Sequence, residues 1–319
     1  LLLQENISFS PAGIFPWKDA LSYGIDHEQF SRSFLAQPDL FLRIRPGHEK
    51  TVRQKLGDAG MMFSEISHST ISLPNASKID SVLLLDKEAV VQDISSQNTG
   101  SFLTAVSDET PTFNSRPLRP INVWDCCAAS GGKSLLAFDL LDDINLTVSD
   151  VRETIIQNLK KRFANAGINN YKAFIADLAR PFTFNHQQSE WAEQPLAADN
   201  KMATQGNISN FQHDLIILDA PCSGSGTWSR SPEQLVFFNY ESGTDHYSSL
   251  QRKIAINAIP FLKKGGRLVY ITCSVFKKEN EDIVQHIQDN SSLKLERMEI
   301  LKGYDKKADT LFAASLIAE

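Results

Sequence analysis

Cysteine is scarce in this sequence: 319 residues contain four, Cys126, Cys127, Cys222 and Cys273. None stands in a C-x-x-C pair, which excludes a structural zinc site or a thioredoxin-like redox site, and so few thiols make no secreted disulfide framework. Each must therefore be read for its reactivity or as a small buried apolar group. Also lacking is any apolar run near the roughly 18 residues that a spanning helix requires. The opening residues, LLLQENISFS, show neither a basic leader nor a cleavage pattern, and the chain starts on Leu1 rather than Met, as a fragment would. The expectation is a cytoplasmic protein with no membrane attachment. Positive charge is in short supply as well, with 32 Lys and Arg against 38 Asp and Glu, a net charge of -6. That balance argues against coating nucleic acid by bulk electrostatics, while permitting a local basic face. The remaining composition, 42% hydrophobic and 22% charged, is that of a folded globular protein, and the length suits two domains.

Along the chain, residues 1–35 mix turn signals with a short helix. FLRIR (41–45) reads as a strand, HEKTVRQKLGDAG (48–60) as an amphipathic helix stopped by Gly60, and Thr70–Leu73 and Ser81–Leu85 as further strands. Together they form a small α/β unit of ferredoxin-like or RNA-recognition type. VVQDISSQNTG (90–100) leads into a helix and then a Pro-rich surface loop, SDETPTFNSRPLRP. Beyond it, short β-branched runs at 121–125, 144–150, 171–177, 214–220 and 267–273 alternate with helices. Such runs suit parallel strands buried on both faces. Between the second and third, Val151, Ile155, Ile156, Leu159 and Phe163 make a helical stripe that Gly167 ends. The pattern predicts a doubly wound sheet whose ligand site lies at the carboxyl ends of its strands. Residues 185–210 are polar and aperiodic, as an insertion loop would be.

The first of these strands runs into Asp125-Cys126-Cys127-Ala128-Ala129-Ser130-Gly131-Gly132-Lys133-Ser134. Small residues there let backbone approach a ligand, and the following helix offers free N–H groups to a negative group. Gly-Lys-Ser suggests a P-loop, but that motif needs Gly where Cys127 stands, and the G-x-G-x-x-G dinucleotide fingerprint is absent too. Acids recur at successive strand tips: Asp125, Asp150, Asp177 and Asp219. Asp150 is placed to receive ribose hydroxyls and Asp177 an adenine amino group, a helix N-cap being the alternative for Asp150. An acid-lined site without a phosphate cradle fits S-adenosylmethionine. Two thiols share the same edge, Cys222 within DAPCSGSGT and Cys273 within TCS. A lone cysteine is usually packing, and Cys126 is read so; a pair at the active edge of an α/β sheet points to chemistry.

DCCAASGGKS, the Asp of TVSD, the Asp of FIAD, DAPCSGSGT and GGRLVYITCS with KKENED together resemble the Sun-type RNA (cytosine-5) methyltransferases. VVQDISSQ, LQRKIAINAIPFLKKGG and DTLFAASL extend the resemblance over roughly residue 36 to the end. It implies a Rossmann-like class I methyltransferase sheet with a small N-terminal domain: a segment 1–35, an RNA-binding domain 36–88 and a methyltransferase domain 89–319. It further implies that Cys273 adds to carbon 6 of cytosine, which activates carbon 5 towards the cofactor's methyl group. Asp219 would hydrogen-bond the base, Cys222 would assist loss of the carbon-5 proton and product release, and Lys133 would position the acid or the cofactor. The cofactor pocket would comprise Cys127, Ala128, Ala129, Ser130, Gly131, Gly132, Lys133, Asp150, Asp177 and Asp219. The chain departs from the family at Ser130, where Pro is usual, at Ser134, where Thr is common, and at Ile155, where Arg is frequent.

Basic residues gather at Arg43, Arg45, His48, Lys50, Arg53 and Lys55, and at Lys160, Lys161 and Arg162. Solvated helix faces explain either group alone. On the methyltransferase reading the first group becomes a candidate RNA surface, with an unpaired or flipped cytosine as target. The expected partner is ribosomal RNA, with tRNA second, and the expected state a monomer. A noncatalytic RNA-binding or assembly factor and a small-molecule methyltransferase are the competing readings; the paired thiols disfavour both.

Overall fold

The structure is a computed structural model that describes residues 10–104, 119–181 and 211–319. The expected loops over 107–120 and 185–210 therefore lie largely or wholly outside the described residues. A first helix, α1 (His27–Ser33), starts where the Asp26 carboxylate accepts the Gln29 N–H at 2.9 Å. Phe15, Phe30 and Trp17 anchor this N-terminal segment on Trp228 and Phe276 in a cluster of edge-on and tilted rings. The N-terminal residues thus pack beside the loop that follows Cys273.

The small unit has strand β1 (Leu40–Ile44), helix α2 (Glu49–Asp58) and strands β2 (Ser64–Glu65), β3 (Thr70–Leu73) and β4 (Ala89–Val91). All pair antiparallel in the order β2-β3-β1-β4. Alternation along β1 sends Leu42 and Ile44 towards Val52 and Leu56 of α2, which lie one turn apart on its buried face. Two expectations need correction. Ser81–Leu85 is mostly turn rather than strand: Ile79 and Leu83 close the small core, Leu84 is exposed, and only Leu85 forms an isolated bridge, to Ala89. The fourth strand comes later, with Ala89–Val91 paired to Leu42–Ile44, so the sheet runs past residue 88. Turns also replace the second helix of a complete ferredoxin-like unit.

Two short helices, α3 (Ile94–Asn98), capped by Asp93, and α4 (Gly100–Leu103), lead to the large sheet. It is built from β5 (Ile121–Asp125), α5 (Gly132–Leu140), β6 (Ile144–Asp150), α6 (Glu153–Ala166), β7 (Tyr171–Ile175) and β8 (His213–Asp219), then α7 (Gln234–Phe237), α8 (Tyr240–Ala258), β9 (Leu262–Thr272), α9 (Glu281–Asp289), β10 (Leu293–Leu301) and β11 (Leu311–Ala318). The order is β10-β11-β9-β8-β5-β6-β7, with β5 to β9 parallel and β10 and β11 antiparallel at one edge. All five expected strands are present; the final hairpin is additional. Successive residues of β8 serve opposite cores: Leu215 and Ile217 join α5 and α6, whereas Ile216 and Leu218 join α8 and α9. Val151, expected in the α6 stripe, precedes the helix and is exposed, while Gly167 ends it in the left-handed region at φ 73°. Among the described residues no helix is long and apolar enough to cross a membrane.

Arg43 and Arg45 do not form a surface patch. They lie on the face of β1 opposite Leu42 and Ile44, and both pair with Asp139 of α5, whose side chain is 4% exposed. Arg45 also donates to the carbonyls of Asp86 and Ala166. These arginines dock the small sheet on the large one. Lys55 pairs with Glu88, Arg53 with Glu65 and Arg162 with Asp86, which leaves Lys50 and Lys161 as exposed cations of the two groups, with His48 and Lys160 half-buried.

Candidate active site

The parallel strands end along one edge, and the residues singled out in the sequence meet there. Between β5 and α5 the chain turns sharply, with Ala129 at φ 45° and Gly131 at φ 85°. A Cβ on Gly131 would sit 2.7 Å from the Phe163 ring, so glycine is required there both for its backbone angle and for helix packing. No side chain caps the start of α5 at Gly131. Its first N–H groups are thus free to meet a carboxylate.

Asp150, at the tip of β6, accepts the Ala129 N–H at 3.0 Å and also binds the backbone N–H and guanidinium of Arg152. It is not the N-cap of α6, a position held by Arg152. The carboxylate instead braces the turn against β6. Asp177 follows β7, 40% exposed, and accepts from Ala179 N–H and Arg180. Asp125 lies beneath the turn, fully buried; Ser134 Oγ donates to it at 2.6 Å, and its other oxygen has no partner. Burial above all, then the charges of Asp219 and Asp150, raises its pKa to about 7. Cys126 is buried too, and burial holds its thiol well above the ordinary value, which fits the packing role.

Lys133, in the first turn of α5, reaches across to β8. Its Nζ donates to Asp219 Oδ2 at 3.2 Å and to Ser96 Oγ at 2.8 Å, with the lysine side chain 9% exposed and the aspartate 33%. Ser96 is in turn bound by Gln92 Nε2, and Gln92 Oε1 accepts from Arg43 Nε at 2.8 Å. Sequence reasoning assigned no role to Gln92 or Ser96, although VVQDISSQ was a conspicuous segment. Their use depends on a fold that brings α3 against α5.

The two thiols are brought together from different strands. Cys222 follows β8, Cys273 follows β9, and their sulfurs lie 3.2 Å apart, both half-buried. The Cys222 pKa is pushed well above its usual value, first by the hydrogen bond to Cys273, then by burial and by the charges of Cys273 and Glu279. Gly226 stitches these loops: its N–H donates to the Cys273 carbonyl at 2.8 Å, and its carbonyl accepts the Thr310 N–H at 2.9 Å. A Cβ at Gly226 would lie 1.9 Å from the Thr310 oxygen, so only glycine fits. Glu279 and Gln251, both buried, were also missed: KKENED and LQRKIAINAIPFLKKGG entered only as segments of the family resemblance, with no role given to either residue.

The arrangement offers two sulfurs in contact, a carboxylate held by a buried lysine, and an acid-lined turn with open N–H groups. A profile of the 16S rRNA methyltransferase RsmB/F family matches residues 117–314. Ribosomal RNA small subunit methyltransferase B of Photorhabdus laumondii is 30% identical over 182 residues, covering 56% of this chain and 37% of that protein. The mouse tRNA (cytosine(72)-C(5))-methyltransferase NSUN6 is 31% identical over 163 residues, covering 51% of this chain and 31% of its own length. The chain thus spans only about a third of these two relatives. A solved methyltransferase homolog protein from Pyrococcus horikoshii superposes with a TM-score of 0.68 over 100% of this chain and 97% of the other, at 20% identity, which is a likeness of fold.

Proposed function

Because the chain belongs to the RsmB/F family, the Sun-type RNA (cytosine-5) methyltransferases, we propose that it methylates carbon 5 of a cytosine in RNA. One observation carries the reading: two cysteines from different strand ends, 3.2 Å apart, beside the Lys133–Asp219 pair. Ribosomal RNA is the first substrate to test, after the names of the relatives, and tRNA the second, after NSUN6. On this reading the chain acts as a cytoplasmic monomer whose partner is RNA, contacted by Lys50 and Lys161 rather than by Arg43 and Arg45.

The donor set fits S-adenosylmethionine: N–H groups at the start of α5 suit its carboxylate, and Asp150 and Asp177 offer acceptors for hydroxyl and amino groups. When bound, the cofactor supplies an electrophilic methyl group. Cys127 to Gly132 would line its pocket, with Lys133 and Asp219 between it and the base. Cytosine carbon 5 is too poor a nucleophile unaided, so the Cys273 thiolate adds to carbon 6 while Asp219 hydrogen-bonds the ring nitrogen and the exocyclic amine. Lys133 holds Asp219 in place for that contact. After methyl transfer, Cys222 accepts the carbon-5 proton as it passes its own to the departing Cys273 sulfur. The carbon 6–sulfur bond breaks, and both thiols end protonated.

The test is transfer of labelled methyl from S-adenosylmethionine to unmodified ribosomal RNA and tRNA by the parent and by Cys273→Ala. The parent should label RNA, and the variant should lose at least about a thousandfold in rate with cofactor affinity kept. Turnover retained by Cys273→Ala would overturn the assignment.

A further inference from the structure

Next to the two thiol-bearing loops lies a buried carboxylate with no part in the steps above. Glu279 is 0% exposed. Its Oε2 accepts the backbone N–H of Ser223 at 2.8 Å and Gln251 Nε2 at 3.3 Å; its Oε1 accepts Ser274 Oγ at 3.1 Å. Ser223 directly follows Cys222, and Ser274 directly follows Cys273. One side chain therefore bonds to both thiol-bearing loops. The loops are joined further by Ser223, Ser225 and Ser274, whose hydroxyls form a closed set at 3.1–3.2 Å, and Gln251 also donates to the Pro221 carbonyl at 2.9 Å. The backbone of Glu279 is fixed as well, since Tyr270 Oη donates to its carbonyl at 2.6 Å.

All the groups meeting this carboxylate are donors, which matches its ionised form. Burial pushes its pKa up, opposed by Ser223, Ser274 and Gln251. The other titratable groups near the pair are Tyr247 of α8 and Tyr270 of β9, both raised chiefly by burial and further by Glu279 and Cys222, and Asp219, which is paired with Lys133. A buried negative charge disfavours a second one nearby.

We propose that Glu279 is the positioning residue of the thiol pair: it clamps the two loops so that the sulfurs touch, and its buried negative charge makes Cys222 the less reactive of the two thiols. This rests on the catalytic reading of the two cysteines, yet the clamp has consequences visible without RNA or cofactor. Iodoacetamide alkylation of the intact protein at pH 7.5, followed peptide by peptide by mass spectrometry, reads the reactivity of each thiol. In the parent, Cys273 should be labelled well before Cys222. Glu279→Gln keeps the size and removes the charge, so Cys222 should gain about tenfold in rate and the preference for Cys273 should shrink accordingly, as expected for the loss of one nearby unit charge. Glu279→Asp, which restores the charge, should recover most of the preference, a rescue that a purely packing role would not give.

An unchanged Cys273-to-Cys222 ratio in folded Glu279→Gln would overturn the proposal whatever the methyl-transfer assay shows. If Glu279→Gln does not fold, the parent still decides, because equal labelling of the two thiols would overturn it equally. Failure of the catalytic reading looks different: the thiol ratios follow the pattern above while the parent transfers no methyl group to RNA. Where transfer is seen, Glu279→Gln should lower kcat at unchanged KM for RNA and cofactor.

Discussion

Replacing Asp139 with alanine tests how the small sheet is held. The Asp139 carboxylate accepts from Arg45 Nη2 at 2.7 Å, from Arg45 Nε at 3.1 Å and from Arg43 Nη1. Arg43 is 5% exposed and Arg45 9%, so the substitution would strand two guanidinium groups in a space closed to water. Breaking a buried pair by deleting one partner costs about 3–5 kcal/mol. The two arginines share one carboxylate and keep other acceptors, Gln92 for Arg43 and two carbonyls for Arg45. The expected loss is therefore about 3–4 kcal/mol, not twice the single-pair figure. At roughly 2–4 °C per kcal/mol, the melting temperature should fall by about 6–16 °C, read by circular dichroism alongside a urea titration. The triple variant Arg43→Met, Arg45→Met, Asp139→Leu removes every charge and should regain most of that loss. A cost below about 1 kcal/mol for Asp139→Ala, the range of exposed ion pairs, would refute the structural role given to these arginines.

Two further expectations concern the reaction edge. On the proposed mechanism Cys222→Ala removes the group that accepts the carbon-5 proton, so a covalent protein–RNA adduct through Cys273 should accumulate and appear as a slower band on a denaturing gel; absence of the band with an RNA that the parent methylates would sink the release role. Asp125 should leave a pH signature. With its folded pKa near 7 and its unfolded value near 3.8, only the folded form keeps the proton between those values, so the contribution of Asp125 to stability is fullest below about pH 4 and falls as pH rises to 7, by up to about 4 kcal/mol. Asp125→Asn keeps an acceptor for Ser134 and abolishes that fall. Its stability should match the parent at pH 4 and exceed it by about 2–4 kcal/mol at pH 8; parallel urea profiles for the two proteins would contradict the assignment.

The parallel strands were legible in the sequence because β-branched runs of five to seven residues have few alternatives, and their ends carried the acids and thiols that meet at the site. The final hairpin was not. LKLERMEIL (293–301) mixes charge and apolar residues as an exposed edge strand does, and its partner, Leu311–Ala318, owes its place to pairing with β9. Arg43 and Arg45 were misread for a related reason. Alternation separates them from Leu42 and Ile44, but nothing local tells that the second face of β1 is covered by α5. Glu279 is the same problem within one segment, a charged run in which Glu279, Asn280 and Glu281 turn inward. Pattern along the chain reports which side chains share a face; it does not report what lies opposite that face.

The contacts from Asp139 through Arg43, Gln92 and Ser96 to Lys133 and Asp219 run without a break from the docking face to the reaction edge. The two parts of the chain are consequently not interchangeable cassettes. A chimaera carrying a foreign small sheet would need residues equivalent to Arg43 and Gln92 at the same register, or Ser96 and Lys133 would lose their backing. Selection at one end of this chain of bonds should leave a trace at the other, so that substitutions at Arg43, Gln92 and Asp139 are inherited together rather than one at a time.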